Sequence, residues 1–428
     1  MKPRPNSKNT AAQAMREAER YLMHTYKRPP VVFTRGQGCY LFDQRGRKYL
    51  DMLGGIAVNA LGHAHPRLVR VIRREAARAI HTSNLFHNPW QGPLARKLVA
   101  WSGMERVFFT NSGTEAIEGA LKLARLHARQ SAGEGQTRIL ALENSFHGRT
   151  FGAVSITATA KYREPFAPLV PGVEFVTFND VADLEAKFDS SVCAFVIETI
   201  QGEGGIYPVT ETFWSRARAL ATRHGAALIA DEIQCGLGRT GCYFAYQKFS
   251  ELPDVVVVAK SLAGGLPLGA ILARGAFAET FTPGLHGTTF GGGPLVCAAA
   301  LEFLNTVDEQ KLLSNIRARG AELRAGLVKL AAKFDFVREL RGEGLMLGLE
   351  LSVPGAAYVE EGLRRGLVMN CTHDHTLRLL PAFILTARQV NEFLGKLETV
   401  FAKTKRPKPQ AAATSGAHEP ETALAAAR

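Results

Sequence analysis

The sequence has no C-x-x-C pair, although it carries six cysteines: Cys39, Cys193, Cys235, Cys242, Cys297 and Cys371. Their scatter argues against a disulfide framework or a thiolate zinc site and predicts free thiols in a reducing compartment. No apolar run approaches the roughly 20 residues that a membrane-spanning helix needs. The N-terminal stretch mixes Arg and Lys with Glu17 and Glu19 and lacks the apolar core of a signal peptide. A cytoplasmic chain with no membrane attachment is the expectation. Metal-binding histidine spacing such as H-E-x-x-H is missing, so His63 and His65 in "LGHAHP" are expected to hydrogen-bond in a turn and no metal is expected. There are no internal repeats.

Acidic residues are the scarcer charge, 39 against 52 Lys and Arg, which leaves a formal charge of +13. The excess is unevenly placed: residues 1–30 hold +5, residues 403–428 hold +3, and the body of more than 370 residues keeps +5. A mildly basic body suits anionic small molecules, and a nucleic-acid surface is not indicated.

What remains is ample for a large core: 428 residues, 46% of them hydrophobic. One large and one smaller domain are expected. "TAAQAMREAERYLMHTYKRPP" reads as an amphipathic helix stopped by Pro29 and Pro30. "CYLFDQRGRKYLDML" reads as a hairpin around Asp43 to Gly46. From about 66 to 290 apolar strands alternate with helical patterns: "RVFFT" (106–110), "TRILAL" (137–142), "VCAFVIE" (192–198), "AALIADE" (226–232) and "DVVVVAK" (254–260). Such alternation predicts an α/β fold with a largely parallel sheet covered on both faces. A long helix is expected from Pro294 to about Phe334, leading into a smaller α+β region. The expected division is a flexible extension (1–18), a small domain from both chain ends (19–65 and 294–402), a large domain (66–293) and a disordered tail (403–428).

Ligands of an open parallel sheet bind beyond the carboxyl ends of its strands. Ser112, Gly113 and Thr114 follow "RVFFT" and open a helix, a place where backbone N–H groups suit a phosphate, though a plain N-cap reads the same way. Asp231 and Glu232 end the strand "AALIADE", where a buried carboxylate needs a cation such as a protonated pyridine nitrogen. Lys260 ends the all-valine strand, and partial burial turns an amine into a nucleophile. Phe146 offers a stacking ring, and Arg149 a bidentate partner for a carboxylate. Thr288 and Thr289 lie in the glycine-rich "HGTTFGGGP". Phosphate cradle, stacking ring, pyridinium partner and amine together specify pyridoxal 5′-phosphate.

The stretches "GGIAVNALGHAHP", "FFTNSGTEA", "SFHGRT", "QGEGGI", "DEIQCGLGRTG", "AKSLAGGLPLGA", "HGTTFGG" and "LRLLPAFILT" run through the chain from about Glu19 to Phe401. They resemble the class III, ω-amino-acid type pyridoxal-phosphate aminotransferases of fold type I. "GGIAVNALGH" and "LRLLP" are most similar to the acetylornithine branch of arginine biosynthesis. The resemblance implies a seven-stranded sheet and a homodimer with shared active sites. It implies cofactor contacts from Ser112, Gly113, Thr114, Phe146, Asp231, Glu232, Ile233, Gln234 and Lys260, with Thr289 serving the neighbouring subunit. Lys260 and Asp231 are implied as catalytic, with Lys260 both bonding the cofactor and shuttling the proton. Arg149, Glu203, Thr288 and Arg378 are implied as substrate-binding, Arg378 for an α-carboxylate and Glu203 as the switch that neutralises it. The expected reaction moves the δ-amino group of N2-acetylornithine to 2-oxoglutarate. Ornithine, succinylornithine, succinyl-diaminopimelate and 4-aminobutyrate stay open as donors, as does a non-catalytic protein on the same scaffold. Thr199, Cys235, Ser261 and Gly293 depart from the usual Pro, Thr, Gly and Asn of the family.

Overall fold

Runs of β-branched and aromatic residues with apolar side chains on both faces form strands only where both faces can be covered. The computed structural model describes residues 10–405, and seven such runs assemble there into one sheet. Their order is Arg106–Thr110, Gly269–Ala273, Val255–Val258, Ala227–Asp231, Val192–Glu198, Arg138–Leu142, Val173–Val176. All run the same way except Gly269–Ala273, which is antiparallel to both its neighbours.

The valine strand shows how the sheet is covered. Side chains alternate along a strand. Val255 and Val257 therefore pack with Ile117, Ala120 and Ala124 of helix Gly113–Ala132, while Val256 and Val258 join Phe213 and Trp214 in the larger core on the opposite face. All four valines are fully buried. Each stabilises the fold by roughly 1.5–3 kcal/mol relative to an exposed side chain.

The remaining described strands form two four-stranded sheets and one short two-stranded pair, Ile200–Gln201 with Tyr207–Pro208. One four-stranded sheet is antiparallel, in the order Val337–Glu343, Met346–Leu351, Thr376–Leu379, Asn370–Thr372. The other joins Phe33–Gln37 and the expected hairpin (Tyr40–Asp43 with Lys48–Asp51) to Leu367–Val368, so both ends of the chain meet in one sheet. No helix among the described residues is long and apolar enough to cross a membrane.

Two helices differ from expectation. The N-terminal helix is Ala11–Tyr21, capped by Thr10, and stops well before Pro29. None of its residues is buried, so no tertiary contact rewards extension. The helix also crosses the boundary expected at residue 18; the rest of that extension, residues 1–9, and residues 406–428 of the expected tail lie outside the described residues. The single long helix expected from Pro294 is two, Pro294–Glu309 and Leu312–Ala331, broken at Lys311 with φ of 52°. The break lets the first pack on helices Pro66–Ala76 and Gln91–Ser102 and the second on strand Val337–Glu343 and helix Ala387–Lys403.

Candidate active site

The carboxyl ends of the central strands open into a cavity of about 400 Å³ lined by Ser112, Gly113, Thr114, Phe146, Arg149, Asp231, Ile233, Gln234 and Lys260, among others. These nine come from four separate stretches of sequence, Ile233 and Gln234 expected from the resemblance and the others from strand-end positions.

Lys260 leaves the valine strand two residues after Val258, in a left-handed conformation (φ 43°) that non-glycine residues rarely adopt. Gly264 and Gly265, at φ 60° and 117°, then carry the chain away. The amine makes no hydrogen bond among the described residues. Burial lowers its pKa below the ordinary lysine value, with Glu203 and Asp231 opposing the shift and Arg378 adding to it.

Asp231 is 3% exposed and held on both oxygens. His147 Nδ1 lies 2.7 Å from Oδ2, and the Ile233 N–H donates to Oδ1 at 3.0 Å. His147 had no assigned chemistry in the sequence; it is buried, and its Nε2 has no hydrogen-bond partner among the described residues. Glu198, also missed, lies beside Asp231 in strand register and accepts the N–H groups of Phe146 and Gly202, each at 3.0 Å. Burial pushes its pKa up to about 7, with His147 opposing and Asp231 reinforcing.

Ser112 caps helix Gly113–Ala132 by accepting from the Glu115 N–H at 3.3 Å. A Cβ at Gly113 would lie 2.8 Å from Ile233 Cδ1, so the helix start packs closely against that side chain. The Thr114 hydroxyl accepts the N–H groups of Arg149 and Thr150 at 3.3 and 3.2 Å. The Arg149 guanidinium stacks 3.7 Å from the Tyr162 ring and 5.6 Å from the Phe146 ring.

Arg378 and Glu203 form an ion pair next to the cavity. Arg378 is fully buried, donates to Gln234 Oε1 at 3.0 Å and to Asn370 Oδ1 at 3.2 Å, and leaves Nη2 without a partner among the described residues. Burial works to raise the Glu203 pKa, yet the Arg378 charge and hydrogen bond outweigh it and hold the carboxyl below its ordinary value. A buried cation with an unused donor has the hydrogen-bonding capacity to accept a second anion.

Besides the Glu203–Arg378 pair, which lies next to the cavity and does not line it, three expected contacts are not brought to the lining: Glu232, Thr288 and Thr289. Glu232 points into the core, where it accepts from the Thr199 hydroxyl at 2.7 Å and from the Ala245 and Tyr246 N–H groups at 2.8 and 3.0 Å. Burial raises its pKa. The departure at Thr199 thus supplies one of its partners. Thr288 Oγ1 accepts from Asn111 Nδ2 at 3.1 Å and from the Gly291 N–H at 3.2 Å, while Thr289 is exposed. His63 pairs with Asp51 at 2.8 Å.

The donor set fits a planar anionic phosphate ester with a basic ring nitrogen: a helix start, a fixed carboxylate and an amine all line one cavity. Comparison with known proteins agrees. The chain is 46% identical over 387 residues to the acetylornithine aminotransferase of Gloeobacter violaceus, covering 90% of this chain and 96% of that protein. An ornithine aminotransferase structure from Toxoplasma gondii, described with partial occupancy of PLP at its active site, superposes with a TM-score of 0.89 at 32% identity, over 92% of this chain and 95% of that one. The N-acetylornithine aminotransferase structure from Stenotrophomonas maltophilia gives 0.79 at 35% identity, over 91% and 98%. The class-III aminotransferase family model matches residues 21–401, and with these residues at these strand ends the chain belongs to the class-III aminotransferases.

Proposed function

We propose that this chain transfers the δ-amino group of N2-acetylornithine to 2-oxoglutarate, giving N-acetylglutamate 5-semialdehyde and glutamate, with pyridoxal 5′-phosphate held in the cavity. The observation that carries this reading is the buried Arg378, with one free donor and Glu203 as its counter-ion, beside an unbonded Lys260. One pocket must accept an amine with no carboxylate at its reacting carbon and, in the return half, an amine whose carbon carries one. A maskable arginine meets both demands.

The bound cofactor would supply an electrophilic carbon for the amine and an electron-withdrawing ring. Ser112, Gly113 and Thr114 would hold the phosphate at the positive end of a helix. Asp231, oriented by His147 and Ile233, would keep a proton on the ring nitrogen, and Gln234 and Phe146 would fix the ring. Lys260, with its depressed pKa, moves the proton at the substrate carbon. Arg149 takes the carboxylate remote from the reacting amine. Glu203 covers Arg378 while the ω-amine reacts and yields it to the α-carboxylate of glutamate.

The exposed Thr289, next to an exposed Phe290, suits a role across an interface with a second copy of the chain, where it would bind that copy's phosphate. A cytoplasmic setting suits the six unpaired cysteines. The test is a donor panel with 2-oxoglutarate, comparing N2-acetylornithine with ornithine, succinylornithine, succinyl-diaminopimelate and 4-aminobutyrate. The highest kcat/KM is expected for N2-acetylornithine, and Lys260→Ala abolishes turnover. A clear preference for ornithine or 4-aminobutyrate would overturn the substrate assignment.

A further inference from the structure

Glu203 sits on a loop between the short paired strands Ile200–Gln201 and Tyr207–Pro208. Before Glu203 the loop is tied to the large sheet, through the Gly202 N–H to Glu198 and through Gln201 Nε2, which donates to the Glu143 carbonyl at 2.7 Å. After Glu203 the tie comes from Arg341 of strand Val337–Glu343. Its guanidinium is 4% exposed and every nitrogen is used. Nε donates to the Gly205 carbonyl at 3.0 Å, Nη1 to Glu339 at 2.6 Å, and Nη2 to Glu350 at 2.6 Å and Thr376 Oγ1 at 3.2 Å. Its plane lies 3.9 Å from the Tyr207 ring centre.

These contacts fall on two sides of one gap. Gly205 and Tyr207 belong to the Glu203 loop. Glu350 and Thr376 face each other on the sheet that carries Arg378, and Thr376 shares a strand face with Arg378 two residues on. The gap is narrow: Gly205 sits at φ 115°, and a Cβ there would lie 2.9 Å from Tyr207 Cε2 and 3.3 Å from Thr376 Oγ1. Thr372 adds a second tie from the same sheet, its hydroxyl donating to the Glu203 carbonyl at 2.5 Å.

We propose that Arg341 is a positioning residue for the Glu203–Arg378 switch: it pins the loop backbone two residues beyond Glu203 to the strand that presents Arg378. Glu203 then masks or releases Arg378 by side-chain rotation on a fixed backbone, and the register of the two charges is kept in both half-reactions. The inference rests on the two-substrate reading above. Lysine keeps a charge between Glu339 and Glu350 but cannot donate to Gly205, bridge to Thr376 and lie flat on Tyr207 at once.

The test uses the loaded enzyme as wild type, Arg341→Lys and Glu203→Ala. Single-turnover rates are measured with N2-acetylornithine and with glutamate, glutarate affinity by calorimetry, and Tm by melting. Arg341→Lys is expected to react about fivefold more slowly with N2-acetylornithine relative to glutamate. It should bind glutarate about fivefold more tightly, because Arg378 is less firmly masked. Glu203→Ala moves both readouts further in the same direction. Tyr207→Leu, which only removes the half-exposed ring under the guanidinium, shifts the rate ratio the same way by about twofold and guards against a poorly folded Arg341→Lys. An unchanged rate ratio and glutarate affinity in Arg341→Lys and Tyr207→Leu, or equal slowing of both halves, overturns the proposal while Glu203→Ala behaves as expected. A wild type with no ω-amine half-reaction overturns the two-substrate reading itself, and this inference with it.

Discussion

Glu198 and Glu203 both act electrostatically on the Lys260 amine, and the two are in opposite states. Arg378 holds Glu203 below its ordinary pKa, while burial lifts Glu198 to about 7. Pairs of acids pushed apart in this way mark sites where one stays charged and another can hold a proton. The stability consequence has a definite sign. The folded state binds the Glu198 proton more tightly than the unfolded chain, so its contribution is fully present below the ordinary carboxylate pKa of about 4.5 and is lost as pH rises through about 7. Melting of the cofactor-free protein between pH 5 and pH 8 should therefore show a fall in Tm that Glu198→Gln flattens. A parallel fall in both proteins would mean that Glu198 is already ionised at pH 5. Lys260, Asp231, Arg149 and Gly113 were legible in the sequence because each follows an apolar strand or opens the helix after one. Glu198 and His147 were not. Glu198 reads as the last letter of an apolar strand, and His147 gains meaning only from Asp231, 84 residues away. The signal available was register: adjacent parallel strands that both end in a carboxylate place Glu198 opposite Asp231.

At the scale of elements, the strands of the central sheet were readable because burial on both faces demands continuous apolar runs, which loops do not imitate. Helix ends were less so. The chain from Pro294 carries an amphipathic helical pattern without a Pro or Gly at the break, and the two helices that meet at Lys311 pack on different surfaces. The second half, Leu312–Ala331, approaches the turn after strand Val337–Glu343 so closely that a Cβ at Gly320 would collide with the Gly344 carbonyl. That turn follows Arg341 on the same strand. Gly320→Ala should cost about 1–3 kcal/mol of stability despite its better helix propensity. Denaturant unfolding checks this, and a stabilised variant would show that the helix can move away freely. The Glu232 side chain stands off the cavity lining for a reason at this scale: after Asp231 the chain leaves the sheet, and the next side chain turns inward to accept from Ala245 and Tyr246.

At the scale of the whole molecule, large apolar side chains remain on the surface near the glycine-rich loop. Leu85, Phe86 and Phe290 are 87%, 68% and 65% exposed. Asn84 ties the two loops together by donating to the carbonyls of Thr288 and Gly291 at 3.1 and 2.9 Å. Such a patch suits an interface, and sedimentation of the wild type should give a dimer that Phe86→Asp with Phe290→Asp dissociates, with loss of turnover. A fully active monomer would remove Thr289 from the site. The one-pocket, two-amine reading depends most on Glu203 and Arg378 acting as a pair. It is tested by mixing the loaded wild type and Glu203→Ala separately with N2-acetylornithine and with glutamate and following the cofactor's absorbance through one half-reaction. The expected result is a loss of about tenfold or more with N2-acetylornithine and little change with glutamate. Equal losses with both amines would contradict the switch.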